Sequence, residues 1–151
     1  MSDTICIGIK LRRAAQAIAK LYDQALVPAG ITITQFSQMH AIGRLEAPNL
    51  GQLARETHLD RSTLGRNIRT LGRLGLIEHG PGADERTRII RLSEKGKETL
   101  RMATPRWQVV QDSLEAELGS KQRSDLFAIL SSLEALTSLN ETIGGENGPS
   151  G

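Results

Sequence analysis

A run of side chains that donate hydrogen bonds occupies residues 61–69, and its residue types predict contacts with DNA. Arginine, serine, threonine and asparagine reach phosphate oxygens and base edges, and this run contains no acid. The alternative is an ordinary solvated helix, because Arg-rich faces are common on exposed helices. The predicted DNA-contacting residues in this run are Arg61, Ser62, Thr63, Arg66, Asn67 and Arg69.

The flanking residues predict a short helix, a tight turn and a second helix that presents this run. Asp60 precedes the second helix and is a good N-cap, because its carboxylate accepts from free N–H groups and suits the positive helix end. Gly75 suits the left-handed conformation that ends a helix, and Ala54 is small enough for a close helix crossing. A small core is predicted from apolar residues at helical intervals, namely Leu53, Leu59, Leu64, Ile68 and Leu71.

Two strands around a Gly/Pro-rich loop are predicted after the second helix. The loop covers residues 79–86, whose composition suits a mobile hairpin tip. Asp84 is close enough in sequence to Arg86 for its carboxylate to orient the guanidinium, and an oriented arginine at such a tip suits a narrow minor groove. This order of elements predicts a winged helix-turn-helix with its second helix in the major groove. Asp84, Arg86 and Arg88 therefore join the predicted DNA-contacting residues.

The chain resembles the multiple-antibiotic-resistance regulator (MarR) family in residues 59–64, 71–77, 84–86 and 92–96. The resemblance runs from the first helix to about residue 140. It implies a dimeric bacterial transcription factor, usually a repressor, that a small molecule or oxidation releases from its palindromic operator. Gly65 departs from the family pattern, in which a polar residue is expected. It costs about 1 kcal/mol of helix propensity relative to alanine and leaves open which operator is read.

Composition and charge limit the classes of protein to which this chain can belong. A chain of 151 residues with 38% apolar content is long enough to form one domain with its own hydrophobic core. The net charge is only +2, but it is segregated. Residues 61–91 hold seven arginines and three acids, a net of +4, whereas residues 92–151 hold six bases and nine acids, a net of −3. This separation favours a nucleic-acid face in the middle of the chain and a scaffold after it.

Several functional classes are not expected. One cysteine excludes a disulfide framework and a Cys-rich zinc site, and His40, His58 and His79 share no helical face, so no metal is predicted. The sequence has neither a glycine-rich phosphate loop nor a spacing that suggests a catalytic triad, so we expect no cofactor and no enzyme. With no signal peptide and no long apolar run, a cytoplasmic protein without membrane contact is expected.

Three apolar stripes predict long helices on either side of the DNA-binding core. The mainly α fold with a small β-hairpin wing is thus predicted to form one unit over residues 1–143, with a disordered tail at 144–151. The winged helix would cover 32–92, and residues 1–28 and 93–140 would form dimerisation helices, because the stripes exceed what one core can cover. The alternative is that they pack within the monomer. Within the second long helix, Pro105 is expected to cause a kink and Gly119 to end it. The stripes are Ile7, Leu11, Ala14, Ile18, Leu21 and Ala25; Leu100, Ala103, Trp107, Val110 and Leu114; and Leu126, Ile129, Leu133 and Leu136.

The resemblance also implies an effector pocket between the dimerisation helices and the DNA-binding lobe. A small aromatic or phenolic effector is expected there. A different class of function stays open, namely an architectural protein that dimerises and coats DNA without any effector. The residues predicted to contribute to the pocket are Ile18, Tyr22, Phe36, Met39 and Trp107.

Cys6 raises the alternative of a redox-sensing repressor. In the peroxide-sensing branch of the family, a cysteine near the start of the first helix is oxidised and DNA is released. Tyr22 fits the place of one of that branch's tyrosines, but Cys6 falls about two residues too far upstream and Ile33 replaces a second tyrosine. The neighbouring isoleucines favour a protected thiol. We therefore expect a small buried side chain at the dimer interface rather than a sensor.

Overall fold

The computed structural model describes residues 5–84 and 86–137, and the elements in this part of the chain form a mainly helical fold with one hairpin. The predicted fold class is therefore confirmed. The chain divides into two compact units between Val110 and Gln111. The elements are α1 (Ile7–Leu26), α2 (Ile33–Leu45), α3 (Leu50–Thr57), α4 (Arg61–Arg73), β1 (Ile77–Pro81), β2 (Arg88–Leu92) and α5 (Glu94–Glu134), with 3₁₀ turns at Val27–Ala29 and Ala135–Thr137.

The start of α2 is fixed by a reciprocal cap. The Thr32 hydroxyl accepts from the Gln35 N–H over 3.2 Å, and the Gln35 side chain accepts from the Thr32 N–H over 2.9 Å. This arrangement satisfies two N–H groups that a helix start leaves without a backbone partner. Just upstream, Gly30 has a φ of 72°, which allows the chain to leave the 3₁₀ turn and enter α2.

One apolar core lies under α2, α3, α4 and the hairpin. The predicted Leu53, Leu64, Ile68 and Leu71 are buried in it, and Leu59 packs against it partly buried. Burial of such side chains contributes roughly 1.5–3 kcal/mol each. The core therefore fixes the two helices of the helix-turn-helix against α2. Its other buried members include Leu26, Ile31, Phe36, Met39, Ile42, Leu76, Ile77, Ile90 and Ala103.

The hairpin is antiparallel, with Ile77 opposite Leu92 and Pro81 opposite Arg88. The first strand is longer than expected, because residues 79–81 were predicted to belong to the loop but are part of β1. The pairing with β2 supplies backbone partners that composition alone does not reveal. A further bond from the Ile90 N–H to the Pro48 carbonyl, at 2.8 Å, ties β2 to the link between α2 and α3.

The start of α5 is capped by Ser93. The Ser93 Oγ accepts from the Gly96 N–H over 3.0 Å and donates to the Gly75 carbonyl over 2.5 Å. Gly96 is required here, since a Cβ at that position would lie 2.0 Å from the Leu76 carbonyl oxygen. The helix continues through Pro105, and the chain leaves helical geometry at Gly119, where φ is 73° and ψ is 166°.

The second unit contains the residues on both sides of Gly119. Glu115 accepts hydrogen bonds from Gln111 at 3.0 Å and from Arg123 at 3.0 Å, and these bonds lower the pKa of the Glu115 carboxyl. The Arg123 guanidinium also lies 4.6 Å from the centre of the Phe127 ring. In neither unit does a described helix have the length and apolar character needed to cross a membrane. The predicted tail at 144–151 lies outside the described residues.

Candidate nucleic-acid interface

Asp60 organises the first turn of α4. One carboxylate oxygen accepts from the Thr63 N–H at 2.8 Å and from the Ser62 hydroxyl at 2.7 Å, and the other accepts from the Thr63 hydroxyl at 2.7 Å. The Ser62 and Thr63 hydroxyl hydrogen bonds hold the pKa of Asp60 well below its usual range. The predicted cap is confirmed. The Ser62 and Thr63 hydroxyls, which were predicted to contact DNA, donate their protons to the Asp60 carboxylate. Toward DNA they can therefore only accept hydrogen bonds.

The outward face of α4 carries the predicted long donors. Arg61, Arg66 and Arg69 are exposed, and Asn67 is half-buried. Arg66 lies 3.4 Å from the Thr63 hydroxyl, and the guanidinium of Arg69 lies near Gly65, 3.9 Å from where a Cβ would be. The structure thus leaves the three predicted arginines of α4 exposed, whereas Asn67 lines a cavity together with Gln35 and Gln38 of α2.

The tip of the hairpin is closed by its own backbone. The Gly82 N–H donates to the Thr87 carbonyl at 2.7 Å, and the Thr87 N–H donates to the Asp84 carbonyl at 2.9 Å. Only glycine fits at position 82, because a Cβ would lie 2.5 Å from the Thr87 oxygen. The expected contact between Asp84 and Arg86 runs through the Arg86 backbone N–H, at 3.3 Å, rather than through the guanidinium. Asp84, Arg86 and Arg88 are all exposed.

The charge of the helix-turn-helix is not cancelled locally. Its two acids within residues 50–73 are Glu56, which pairs with Arg44, and Asp60, whose oxygens are occupied by the cap. The same residues hold five arginines, so their net charge is +3; these are Arg55, Arg61, Arg66, Arg69 and Arg73. A surface of this composition attracts a polyanion.

Arg55 was not predicted as part of this surface. It lies on α3, one turn after Gly51, and its guanidinium reaches back over that glycine. The i,i+4 spacing of Gly51 and Arg55 was the available signal, because residues so spaced share a helix face. The Arg61 guanidinium of α4 also lies near Gly51, 3.4 Å from where a Cβ would be. Residue spacing could not predict this approach, because it depends on how α3 and α4 pack.

A separate groove of about 330 Å³ lies beside the N-terminal half of α2. The predicted pocket residues Tyr22, Phe36 and Trp107 line it, and the Phe36 and Trp107 rings stack with centroids 5.6 Å apart. Met39 is instead buried in the core, and Ile18 is exposed on α1 outside the groove. Sequence reasoning missed the remaining lining residues, which are Ile33, Ser37 and His40. His40 follows Phe36 by four residues and stacks on it at 6.1 Å, so helical spacing was the usable signal.

Cys6 immediately precedes α1 and is exposed in this single chain. Its side chain makes no capping hydrogen bond with the helix. Within residues 5–84 and 86–137, no three His, Cys, Asp or Glu side chains are arranged to hold a metal ion.

Comparisons with known proteins agree with this geometry. The sequence profile of the MarR family matches residues 29–87. A transcriptional regulator of M. tuberculosis, MosR, solved in complex with DNA, is 35% identical over 87% of this chain and 98% of its own, with a TM-score of 0.76. A mutant MarR from E. coli complexed with operator DNA is 21% identical over 85% of this chain and 94% of its own, at a TM-score of 0.77.

A third similar structure is BpsR of Bordetella bronchiseptica, whose DNA binding is regulated by 6-hydroxynicotinic acid. It is 21% identical over 89% of this chain and 96% of its own, and the TM-score is 0.78. At this identity the likeness to BpsR and to E. coli MarR is one of fold. No curated protein sequence matches the chain.

Proposed function

The chain belongs to the MarR family of transcriptional regulators, and on this premise we propose that it is a homodimeric repressor. It binds double-stranded DNA at a palindromic operator, and a small aromatic or phenolic effector releases it. The observation that carries the proposal is the α4 surface: a helix whose start is fixed by Asp60 and whose exposed face presents Arg61, Arg66 and Arg69.

DNA binding is supported by charge and by shape. Residues 50–73 hold five arginines and two acids, a net of +3, and the hairpin adds exposed Arg86 and Arg88. A recognition helix beside a basic hairpin suits simultaneous contact with a major groove and the adjacent minor groove. The MosR structure, at 35% identity, contains DNA.

A homodimer is supported by apolar side chains that the single chain leaves exposed. In the first unit these are residues of α1 and the segment before it, with Ile7 exposed at 70%. In the second unit, Phe127 and Ile129 are more than half exposed. Such side chains favour burial against a second copy. A two-fold dimer would present two α4 helices about 34–36 Å apart, the spacing of successive major grooves.

An aromatic effector is supported by the groove between α1, α2 and the start of α5. A planar ring would extend the stack formed by Phe36 and Trp107. Ser37 and His40 on the same wall offer hydrogen-bonding groups for a hydroxyl or a carboxylate. The groove shares α2 with the core that supports α4, so a bound ligand can bias the position of the recognition helix.

DNase footprinting tests the DNA-binding part of the proposal. We expect the intact protein to protect a short inverted repeat, selected from a random-sequence duplex library, at a fixed register. Protection that spreads along the duplex without register would instead favour the architectural alternative. Failure to bind any selected duplex would overturn the proposal.

The emission of Trp107 tests the effector part, because this is the chain's one tryptophan and it lines the groove. A screen of phenols and aromatic acids is expected to find compounds that change Trp107 emission and release operator at the same concentrations. Phe36→Leu should weaken both effects together, whereas Val109→Leu, an exposed position on α5 outside the groove, is the control. Release of operator by compounds that leave the emission unchanged would place the effector elsewhere.

A further inference from the structure

Two guanidinium groups converge above the first turn of α3. A Cβ on Gly51 would lie 3.4 Å from Arg61 Nη2 and 3.9 Å from Arg55 Nη1. One of these arginines belongs to α3 and the other opens α4, so the packing of the two helices brings them together. The third group near this point is the Asn49 side-chain oxygen, at 3.4 Å, which already accepts from the Gln52 N–H.

Two guanidinium groups that approach the same point repel each other, and within the described part of the chain no carboxylate forms an ion pair with either of them. The neighbouring Glu56 is paired with Arg44, and Asp60 is held by the α4 cap. The start of α3 adds its own partial positive charge. The surface above Gly51 is therefore a concentrated cationic site open to solvent.

We propose that Arg55 and Arg61 hold one phosphate of the DNA backbone between them, above Gly51, and so fix how deeply α4 enters the groove. This inference rests on the proposed DNA-binding function. Each guanidinium can donate charge-assisted hydrogen bonds of about 2.7–2.9 Å to a different oxygen of the same phosphate. In helix-turn-helix proteins the first helix crosses the DNA backbone, which is where such a contact belongs.

The absence of a side chain at Gly51 is part of the site. Glycine is a poor helix former, and it occupies the second position of α3 with no conformation that requires it, since its φ is not positive. A side chain at this position would occupy space beside both guanidinium groups, since its Cβ alone would lie within 3.9 Å of each. Gly51 thus leaves room for the phosphate, and Arg61 serves to position the helix rather than to read a base.

The salt dependence of binding tests this assignment, because each neutralised phosphate steepens the plot of log affinity against log salt by about 0.9. The probes are a duplex selected by the wild-type protein and a scrambled duplex of the same length. We expect Arg55→Gln to make the slope shallower by about 0.9 on both duplexes, with the preference for the selected duplex unchanged. Gly51→Gln should do the same, although it removes no charge.

Matched variants separate this site from a general loss of charge. Arg106→Gln removes the same charge from α5 and should leave the slope as in the wild type. The double variant Arg55→Gln, Gly51→Gln should be no shallower than either single variant, since both act on one phosphate. Circular dichroism melting confirms that each variant is folded.

Two results would overturn the assignment while the proposed function stands. In the first, wild-type protein binds the selected duplex but Arg55→Gln and Gly51→Gln keep its salt slope. In the second, Arg55→Gln lowers the slope and Gly51→Gln does not, which would mean that the two guanidinium groups do not share a phosphate. Absence of binding by the wild-type protein itself would instead refute the proposed function.

Discussion

The Thr63 N–H donates to the Asp60 carboxylate over 2.8 Å, and this bond links the turn between α3 and α4 to the first turn of the recognition helix. The same carboxylate accepts from two hydroxyls, so it fixes side chains as well as the backbone. The position of every donor on α4 depends on where the helix begins. Asp60 therefore contributes both to the stability of the fold and to the placement of the side chains that are proposed to contact DNA.

Replacing Asp60 separates these contributions. Asp60→Ala removes all three acceptor bonds and should lower the thermal unfolding midpoint. Asp60→Asn keeps an oxygen that can accept from the Thr63 N–H and should lower the midpoint less at neutral pH. Scanning calorimetry on the two variants and the wild type measures the difference. Equal midpoints for wild type and Asp60→Ala would show that the cap does not contribute to stability.

The pH dependence of this contribution has a defined sign. Because hydrogen bonding lowers the pKa of Asp60 in the folded chain, its contribution is present above the pKa of the unfolded chain and is lost as pH falls through the lower folded value. The gap in midpoint between wild type and Asp60→Asn should therefore close with acidification below about pH 4. A gap independent of pH would contradict this.

Arg86 is predicted to contact the minor groove from the hairpin tip. Arg86→Ala should weaken operator binding by about 1–3 kcal/mol. Its guanidinium is exposed and the hairpin tip is closed by other bonds, so the substitution should leave the fold unchanged. Fluorescence anisotropy with a labelled operator at moderate salt measures the loss. Unchanged affinity would mean that the hairpin does not touch DNA in this protein.

Substitutions on α4 provide the contrast for Arg86. Arg66→Ala and Asn67→Ala should relax sequence preference at particular base pairs, because base-edge contacts specify and phosphate contacts only position. Binding to a panel of single-base operator variants measures this. A uniform loss of affinity over the whole panel would assign these side chains to phosphates instead.

Local chemistry explains which features could be predicted from the sequence. Asp60 and Gly75 act at helix ends, where one side chain or one glycine decides the conformation within a few residues. The winged helix followed from such signals and from apolar periodicity. The length of β1 did not, because the pairing of Pro81 with Arg88 depends on the partner strand.

Contacts between distant residues could not be predicted. Arg55 and Arg61 meet above Gly51 through the packing of two helices, and Trp107 stacks on Phe36 although it lies 71 residues later in the chain. Met39 lies on the apolar side of α2, and periodicity alone did not show whether it faces the core or the groove. In each case the missing information is the relative placement of elements.

The buried carboxamide of Gln38 is predicted to lower the free energy of unfolding relative to an apolar side chain of similar shape. It is 1% exposed in α2, and neither atom of its carboxamide has a hydrogen-bond partner in the described part of the chain. A buried polar group without a partner costs about 1–3 kcal/mol. Gln38→Met has a similar shape and should raise the free energy of unfolding by about that amount in urea titrations. Gln35→Met, which removes the α2 cap, should lower it. A lower value for Gln38→Met would show that the amide is satisfied.

Ile129 is predicted to lie in the dimer interface. It is 58% exposed in the single chain, so Ile129→Asp should cost the monomer little, but it would bury a charge if a second copy covers it. Sedimentation at micromolar concentration should show a dimer for the wild type and a monomer for the variant. Ser131→Asp, exposed on the same helix, is the matched control and should remain dimeric. A stable wild-type monomer would refute the dimer.

Cys6 is predicted not to be the switch that releases DNA. The Cys6 side chain is exposed immediately before α1, so an oxidant has access to it in a single chain. A sensor also needs donors that hold the thiolate, and the Cys6 sulfur makes no capping hydrogen bond with α1. The nearest apolar neighbours, Ile5 and Ile7, are themselves exposed and favour burial of this segment against a second copy.

Cys6→Ser is therefore expected to bind operator with wild-type affinity and to respond equally to the effector. Both proteins should keep their DNA binding after mild hydroperoxide treatment, measured by anisotropy with the same labelled operator. Mass spectrometry of the treated wild type checks whether the thiol was oxidised at all. If hydroperoxide abolishes binding by the wild type and leaves Cys6→Ser bound, the protein is a one-cysteine redox sensor and this prediction is wrong.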